Sequence, residues 1–361
     1  MEDLEPRFLL LIGALAVGFI YGTVARASGF CLRSAVIEVI DGRPARQAAA
    51  WALALPIAIL GTQMMIHLDI IDLGESIYLS PNVMWLSLIV GGLLFGFGMV
   101  ITRGCGGRHL VLAAGGNLRS WVVITVLGLS AYATNRGILA LPRTWFEEAG
   151  SLQFSETSQS ISALIAGPEG ASSAALVIAG LLLALGIAAV FRLRGVQGIA
   201  GGVAAGIVVG LIIPLGWYVS GVLGFDEFEP IRPASLTFTT PLGNGLQYLM
   251  TYTGAAADFG VTAVAGTLLG AFAWAVASRS VKAEGFDSPG HLARYALGAA
   301  MMGFGGVLAL GCTIGAGLSG MSTLSLGSLI ALASIVSGGA IGHHVKTRIV
   351  GGRAPKIVPA E

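Results

Sequence analysis

Stretches of about twenty apolar residues recur along the whole chain, and each is long enough to cross a lipid bilayer as a helix. The chain has 361 residues, of which 55% are hydrophobic and 11% are charged. Soluble domains carry roughly 25% charged residues. Because no soluble core could hide so much apolar surface, we predict an all-α polytopic membrane protein with the lipid bilayer as its solvent. It would form a single membrane domain over residues 1–361.

Hydropathy, with glycine, proline and charge clusters taken as breaks, predicts nine transmembrane helices. They are expected near residues 8–25, 46–66, 83–101, 119–141, 172–191, 197–219, 260–278, 291–310 and 326–343. Basic residues follow the odd-numbered spans and acidic residues follow the second, fourth and sixth. Examples are Arg26, Arg33 and Arg46 after the first span, Asp69, Asp72 and Glu75 after the second, and Lys346, Arg348, Arg353 and Lys356 in the tail. The positive-inside rule then places the N-terminus outside and the C-terminus inside.

An internal repeat has an offset of 207 residues. Residues 96–98 read Gly-Phe-Gly and precede Gly104-Cys105, and the same pattern at the same spacing precedes Gly311-Cys312. Phenylalanine and cysteine match as well as glycine, so we interpret the pattern as a duplication. A weaker match pairs the polar stretch 26–34 with 232–240.

The repeat predicts an inverted topology. The matching spans are five apart, an odd number, so the halves, approximately 1–141 and 172–361, would have opposite orientations in the membrane. A loop, 142–171, would join them. Many secondary transporters have this organisation, with the site at the repeat interface.

Four stretches would enter the membrane as re-entrant loops, two from each side. They surround Cys31, Cys105, Cys312 and a hydroxyl-rich segment that contains Ser235 and Thr237. Non-helical backbone at membrane depth is tolerated only where it is buried in protein or lines a watery cavity. The four loops therefore predict a path through the protein.

The three cysteines have no CxxC or Cys/His metal spacing, so we expect no metal, cofactor or disulfide framework. A neutral thiol is a weak donor with a soft sulfur, which suits a small sulfur-containing anion. This hypothesis requires protonated thiols with no strong cation beside them. Arg33, Arg103 and Arg108 would attract the anion at the mouth of the path or serve as positive-inside anchors. The net charge of +1 and scattered basic residues argue against nucleic acid as a partner.

These residues resemble the YeeE/YedE family of sulfur-compound transporters over nearly the whole chain. The resemblance is most specific at Gly104-Cys105 with Arg108, and at Gly311-Cys312-Thr313 followed by Ile314, Gly315 and Gly317. It implies an hourglass-like fold in the bacterial inner membrane. It also implies thiosulfate uptake by hydrogen bonds from Cys31, Cys105 and Cys312, and a small cytoplasmic sulfur-carrier protein as a partner.

Two positions depart from the pattern of the family. Gly106 stands where members often have proline, and Ala316 stands where they often have glutamine. The second change removes an amide from the expected path, so another sulfur species or a selenium species remains an alternative substrate.

Two other classes of protein also remain open at this point. One is a membrane thiol–disulfide enzyme, which would need a resolving cysteine near the attacking one. The other is a structural subunit in which the cysteines only pack. For a transporter, we expect Cys105 and Cys312 to matter more than Cys31, since the repeat places them at equivalent turns.

Overall fold

A computed structural model describes residues 5–42, 45–154, 159–193, 198–226, 231–286 and 288–351. The predicted tail charges Arg353 and Lys356 lie outside these ranges. The helices are α1 (Pro6–Ser28), α2 (Leu32–Ile40), α3 (Arg46–His67), α4 (Trp85–Ile101), α5 (Gly106–Ala114), α6 (Leu118–Arg136), α7 (Ala140–Ala149), α8 (Ile161–Arg192), α9 (Ile199–Tyr218), α10 (Thr239–Met250), α11 (Phe259–Ala277), α12 (Pro289–Leu308) and α13 (Leu326–Gly351). Short π-helical turns cover Val219–Leu223 and Gly315–Gly320, and a 3₁₀ turn covers Tyr252–Gly254.

The all-α architecture predicted from hydropathy is confirmed, and every predicted span overlaps a long helix. Within the described ranges, seven helical segments are long and apolar enough to cross a bilayer. The number becomes eight if α6 and α7, which are bent by 64° relative to each other, form one span. Helix α12 coincides with the eighth predicted span but is not among these segments. The predicted count of nine is therefore not confirmed.

The segment 142–171 is not the simple loop that the sequence predicts. It holds most of α7, the strand β2 (Leu152–Gln153) and the beginning of α8. Strand β2 pairs antiparallel with β1 (Asn82–Val83), with Asn82 opposite Gln153. Helix α8 is itself interrupted at Gly167, whose φ is 70°. The hydropathy pattern missed these elements because α7 is short and amphipathic and the pairing strands are two residues long.

Each of the four stretches predicted to be re-entrant contains a break between a long helix and a shorter helical element. Helix α2 follows α1, α5 follows α4, α10 follows α9, and the π-helical turn Gly315–Gly320 follows α12. Helices α2 and α5 have nine residues each and α10 has twelve. Such elements are too short to span a bilayer, for which about 20 residues are needed.

Helices α4 and α12 cross at glycines, which lets their backbones touch. A methyl group placed on Gly98 would lie 2.6 Å from the carbonyl oxygen of Gly298, and one on Gly305 would lie 2.5 Å from that of Gly91. Gly98 and Gly305 are 207 residues apart, and so are Gly91 and Gly298. The contact of Gly98 with Gly298 therefore corresponds, through the repeat, to the contact of Gly305 with Gly91.

Other helix contacts follow the same exchange. Helix α1 packs on α11 and α3 packs on α9, while α4 packs on α13 and α6 packs on α12. The repeat would match α1 with α9, α3 with α11, α4 with α12 and α6 with α13. Under this matching, the contact of α1 with α11 corresponds to that of α9 with α3, and the contact of α4 with α13 corresponds to that of α12 with α6. This pattern is what an inverted repeat would produce, and the repeat itself stays a prediction.

We expect Gly305→Ala to destabilise the protein by about 1–3 kcal/mol, because the new methyl group meets the backbone of α4 with no space to move. The matched control is Gly180→Ala in α8, where a methyl group would have no neighbour within 4 Å. That change should be neutral or stabilising by up to about 1 kcal/mol, since alanine is the better helix former. Thermal unfolding in detergent measures both, and equal melting temperatures for the two variants would contradict the close crossing.

Candidate functional site

Cys31 and Cys105 lie side by side although they are far apart in sequence. Each follows the end of a long helix and starts a short one, since Cys31 precedes α2 and Cys105 precedes α5. Their side chains are 3% and 2% exposed, and the two thiols interact directly. The structure therefore joins two of the three predicted thiols into one pair.

The turn before Cys31 is fixed by Gly29 and by two side chains of α3. Gly29 adopts the left-handed conformation, with φ of 72°, that commonly ends a helix. Gln47 accepts a hydrogen bond from the Cys31 N–H at 3.3 Å and donates one to the Ser28 carbonyl at 3.0 Å. Arg46 also donates to the Ser28 carbonyl. Side chains of α3 thus fix the backbone at Ser28 and Cys31, and with it the position of the Cys31 thiol.

The turns before Cys105 and Cys312 share a left-handed residue at the equivalent position, although Gly311 has a positive φ and Gly104 does not. Arg103 and Leu310, 207 residues apart, have left-handed φ values of 66° and 55°. This conformation costs about 1–3 kcal/mol for a residue other than glycine, and it persists only where the surroundings impose it. The cysteine carbonyls then accept the N–H groups of His109 and Ala316, at 3.0 and 2.9 Å.

Cys312 is fully buried at the start of the third turn. The N–H group of Gly315 donates a hydrogen bond to its sulfur at 3.5 Å. Gly311 before it has φ of 151°, and a methyl group there would lie 2.7 Å from the Ala316 nitrogen. Gly104, the equivalent residue before Cys105, leaves 3.0 Å between such a methyl group and His109 Nε2. Both predicted glycines therefore serve the turns that present the thiols.

Tyr21 of α1 lies in the neighbourhood of all three cysteines. Its side chain is 1% exposed and lies close enough to all three cysteines to interact electrostatically with each. Its ring packs against that of Phe238, with 5.1 Å between centroids. Sequence analysis missed this residue, whose only signal is a single phenolic hydroxyl in an otherwise apolar stretch.

A cavity of about 680 Å³ opens beside the turn of Cys312. Hydroxyl, amide and charged side chains line it together with apolar residues, among them Ser235, Thr237, Thr240, Asn244, Arg7, Arg232, Asp226 and Asp258. Leu310, two residues before Cys312, also lines it. We call this space the vestibule. The predicted hydroxyl-rich segment lines the vestibule and therefore lies beside the turn of Cys312.

The predicted hydroxyl residues differ in what they contact. Ser235 donates its hydroxyl to the Ile213 carbonyl at 2.8 Å and so supports the broken backbone. Thr237 packs against Gly315, so closely that a methyl group on that glycine would collide with its hydroxyl oxygen. Thr313 is fully buried, and its hydroxyl lies close enough to the Cys105 thiol to interact with it. Of the predicted hydroxyls, Thr313 is therefore the one that interacts with a thiol, and Thr237 packs on the turn that follows Cys312.

Tyr78 is a further residue that sequence analysis missed. It lies in the connection between α3 and α4, interacts with Cys312, and contacts Trp217 edge to face with 6.3 Å between ring centroids. Burial raises the pKa of Tyr78 above its ordinary value, so its hydroxyl stays a donor over the physiological range.

The three arginines, expected either to attract an anion at the mouth or to serve as positive-inside anchors, differ in their surroundings. Arg103 is exposed, whereas Arg108 lies beside Cys31 and Tyr21. The Nη1 atom of Arg108 is shielded from solvent and has no hydrogen-bond partner within the described part of the chain. Arg33 also interacts with Cys31. The expectation of thiols without a nearby cation is therefore wrong at Cys31.

Apolar helices that break around a buried group of thiols and hydroxyls, beside a polar cavity, define a multi-pass membrane transport protein. The chain belongs to the family described as Sulphur transport, whose sequence model matches residues 27–341. The resemblance to YeeE/YedE proteins is thereby confirmed.

Two similar proteins carry the name thiosulfate transporter TsuA. The one from Escherichia coli (strain K12) is 26% identical over 329 residues, which cover 86% of this chain and 87% of that protein. The one from Spirochaeta thermophila is 25% identical over 331 residues, covering 88% and 93%. The protein is thus a transporter of sulfur compounds rather than a thiol–disulfide enzyme.

The pairing of Cys31 with Cys105 predicts which variants lose the binding of a dithiol reagent. Phenylarsine oxide bridges two neighbouring thiols, so it should bind the wild type and Cys312→Ala but not Cys31→Ala or Cys105→Ala. Mass spectrometry of the intact protein measures the added arsenical. Loss of binding in Cys312→Ala, with retention in the other two variants, would contradict the pairing.

Proposed function

We propose that this protein imports thiosulfate across the bacterial inner membrane. The observation that supports this most directly is the link of the paired thiols of Cys31 and Cys105 to the turn of Cys312 through Thr313, beside a hydroxyl-lined vestibule. The names of its relatives agree with thiosulfate as the substrate. The N-terminus would face the periplasm and the C-terminus the cytoplasm, which puts the basic connections inside.

In this orientation the vestibule opens to the periplasm. An anion would enter between Arg7 and Arg232, then lose water against Thr237 and its neighbours. Thr237 packs on Gly315, which donates its N–H group to Cys312. The anion would therefore meet Cys312 first, pass Tyr21, and reach the pair of Cys31 and Cys105.

Neutral thiols suit the terminal sulfur of thiosulfate, because a soft, polarizable donor matches a soft acceptor whereas carboxylates would repel the anion. Weak donors also release what they bind, and conduction needs sites that are left as readily as they are entered. Cys31 lies beside Arg108. Donation through S–H groups is therefore assigned first to Cys312 and Cys105, while Arg108 offsets the charge of the anion near Cys31.

On the cytoplasmic side, the partner implied by the family resemblance is a small sulfur-carrier protein. It would take up the sulfur compound as it leaves, and removal of the substrate would then favour net import. Cys31 and Cys105, whose loops enter from that side in the proposed orientation, are the thiols nearest to such a partner.

Growth on thiosulfate as sole sulfur source tests the proposal in a strain that lacks its own importers. The wild type should support growth. Cys105→Ala and Cys312→Ala should abolish it, and Cys31→Ala should reduce it less, because the first two supply the S–H donors. Cys→Ser variants are the conservative controls, and immunoblots of the membrane fraction check expression.

Two outcomes would count against this account. If the wild type does not support growth, thiosulfate is the wrong substrate, and sulfite or selenium compounds become the candidates to test. If the alanine variants grow as well as the wild type, the cysteines only pack and the thiol path is wrong.

A further inference from the structure

Two guanidinium groups meet at the turn that precedes Cys31. A methyl group placed on Gly29 would lie 3.6 Å from Nη2 of Arg46 and 3.8 Å from Nη1 of Arg108. Arg108 comes from α5 and Arg46 from α3, so the tertiary fold rather than local sequence brings them together. Arg26 of α1 is near enough to Arg108 to interact with it. Like charges thus converge on one side of the thiol pair.

No carboxylate compensates Arg46 or Arg108 within the described residues. Of the two acidic residues just before Arg46 in the sequence, Glu38 accepts the backbone N–H groups of Gln47 and Ala48, at 2.7 and 3.1 Å, and Asp41 pairs with His343 at 2.8 Å. The carboxylate that interacts with Arg26 is that of Glu284, which also accepts a hydrogen bond from Asn117. A shielded cation without a partner is costly, so a fold that retains one needs another source of negative charge.

The two arginines still have donors to offer. Arg46 uses Nη2 on the Ser28 carbonyl, and Arg108 Nη1 is shielded and unpartnered in the part of the chain described. A guanidinium presents five N–H donors in a planar fork that matches the oxygens of tetrahedral anions. The thiol of Cys31, which interacts with that of Cys105, lies near enough to Arg108 to interact with it as well.

We propose that Arg108 and Arg46 form an anion-binding site beside Cys31 that holds the oxygen atoms of a sulfur oxyanion while the thiol pair faces its terminal sulfur. This inference rests on the proposed function, and it assigns the two ends of the substrate to different side chains. The hard, charged end of the substrate meets guanidinium groups and its soft end meets thiols. A substrate that lacks either end would lose half of its contacts.

Calorimetric titration of the purified full-length protein with sodium thiosulfate tests this site in a buffer of low chloride content. Arg108→Gln and Arg46→Gln should each raise the Kd about tenfold or more, because each removes one partner of a desolvated charge interaction. Arg108→Lys, which keeps the charge but loses the fork, should bind between Arg108→Gln and the wild type. Arg294→Gln is the matched control, since it removes one exposed charge from α12 and should leave the Kd unchanged.

Thermal unfolding separates anion binding from a purely structural role. Without added anion, Arg108→Gln should melt at the same temperature as the wild type or higher, because an uncompensated charge has been removed. Thiosulfate should raise the melting temperature of the wild type and not that of Arg108→Gln. A lower melting temperature for Arg108→Gln in the absence of anion, with an undiminished rise on adding thiosulfate, would show a structural role and overturn the inference.

The outcomes also distinguish this inference from the proposed function. If the wild type binds thiosulfate and both arginine variants bind it equally well, the arginine site is wrong while thiosulfate transport stands. If the wild type does not bind thiosulfate, the proposed substrate fails, and the same titrations with sodium sulfite decide the site. Binding of sulfite that is weakened in Arg108→Gln but not in Arg294→Gln supports it, and equal binding in all variants overturns it.

Discussion

The structure depends on how the polar backbone is satisfied where helices break inside the bilayer. Lipid offers no hydrogen bonds, so each broken turn must find its donors within the protein. Thr102 supplies one hydroxyl to the carbonyls of Gly98 and Gly104, at 3.1 and 3.0 Å, directly before Cys105. Ser319 donates to the Leu236 carbonyl at 2.7 Å, which ties the π-helical turn to the vestibule segment. These bonds allow non-helical backbone to reach the centre and present thiols there.

The same constraint explains the use of glycine and of buried hydroxyls. The glycine crossing of α4 and α12 brings the two strained turns of Cys105 and Cys312 to opposite ends of one contact between the halves. The buried hydroxyl of Thr313, the residue after Cys312, interacts with the thiol of Cys105 and so links the two turns. The packing of α4 against α12 and the placement of the two cysteine turns are thus parts of one arrangement.

Much of this could be predicted from the sequence. Hydropathy located every long helix, and the 207-residue offset found two turns that share left-handed residues at equivalent positions, Arg103 and Leu310. Tyr21 and the meeting of Arg46 with Arg108 were missed, because side chains from separate helices are brought together only by tertiary packing. Helix α7 was missed since a short amphipathic helix has no membrane-span signal, and α12 shows that a helix in a predicted span position need not be strongly apolar.

In the proposed mechanism, the three thiols lie on the path of the transported anion. Uptake of radiolabelled thiosulfate into liposomes that contain only the purified protein tests it most directly, with the variant in which Cys31, Cys105 and Cys312 are all replaced by serine as the comparison. The account predicts saturable uptake by the wild type and uptake by the variant no greater than that of protein-free liposomes. Equal, saturable uptake by a folded triple variant would contradict it.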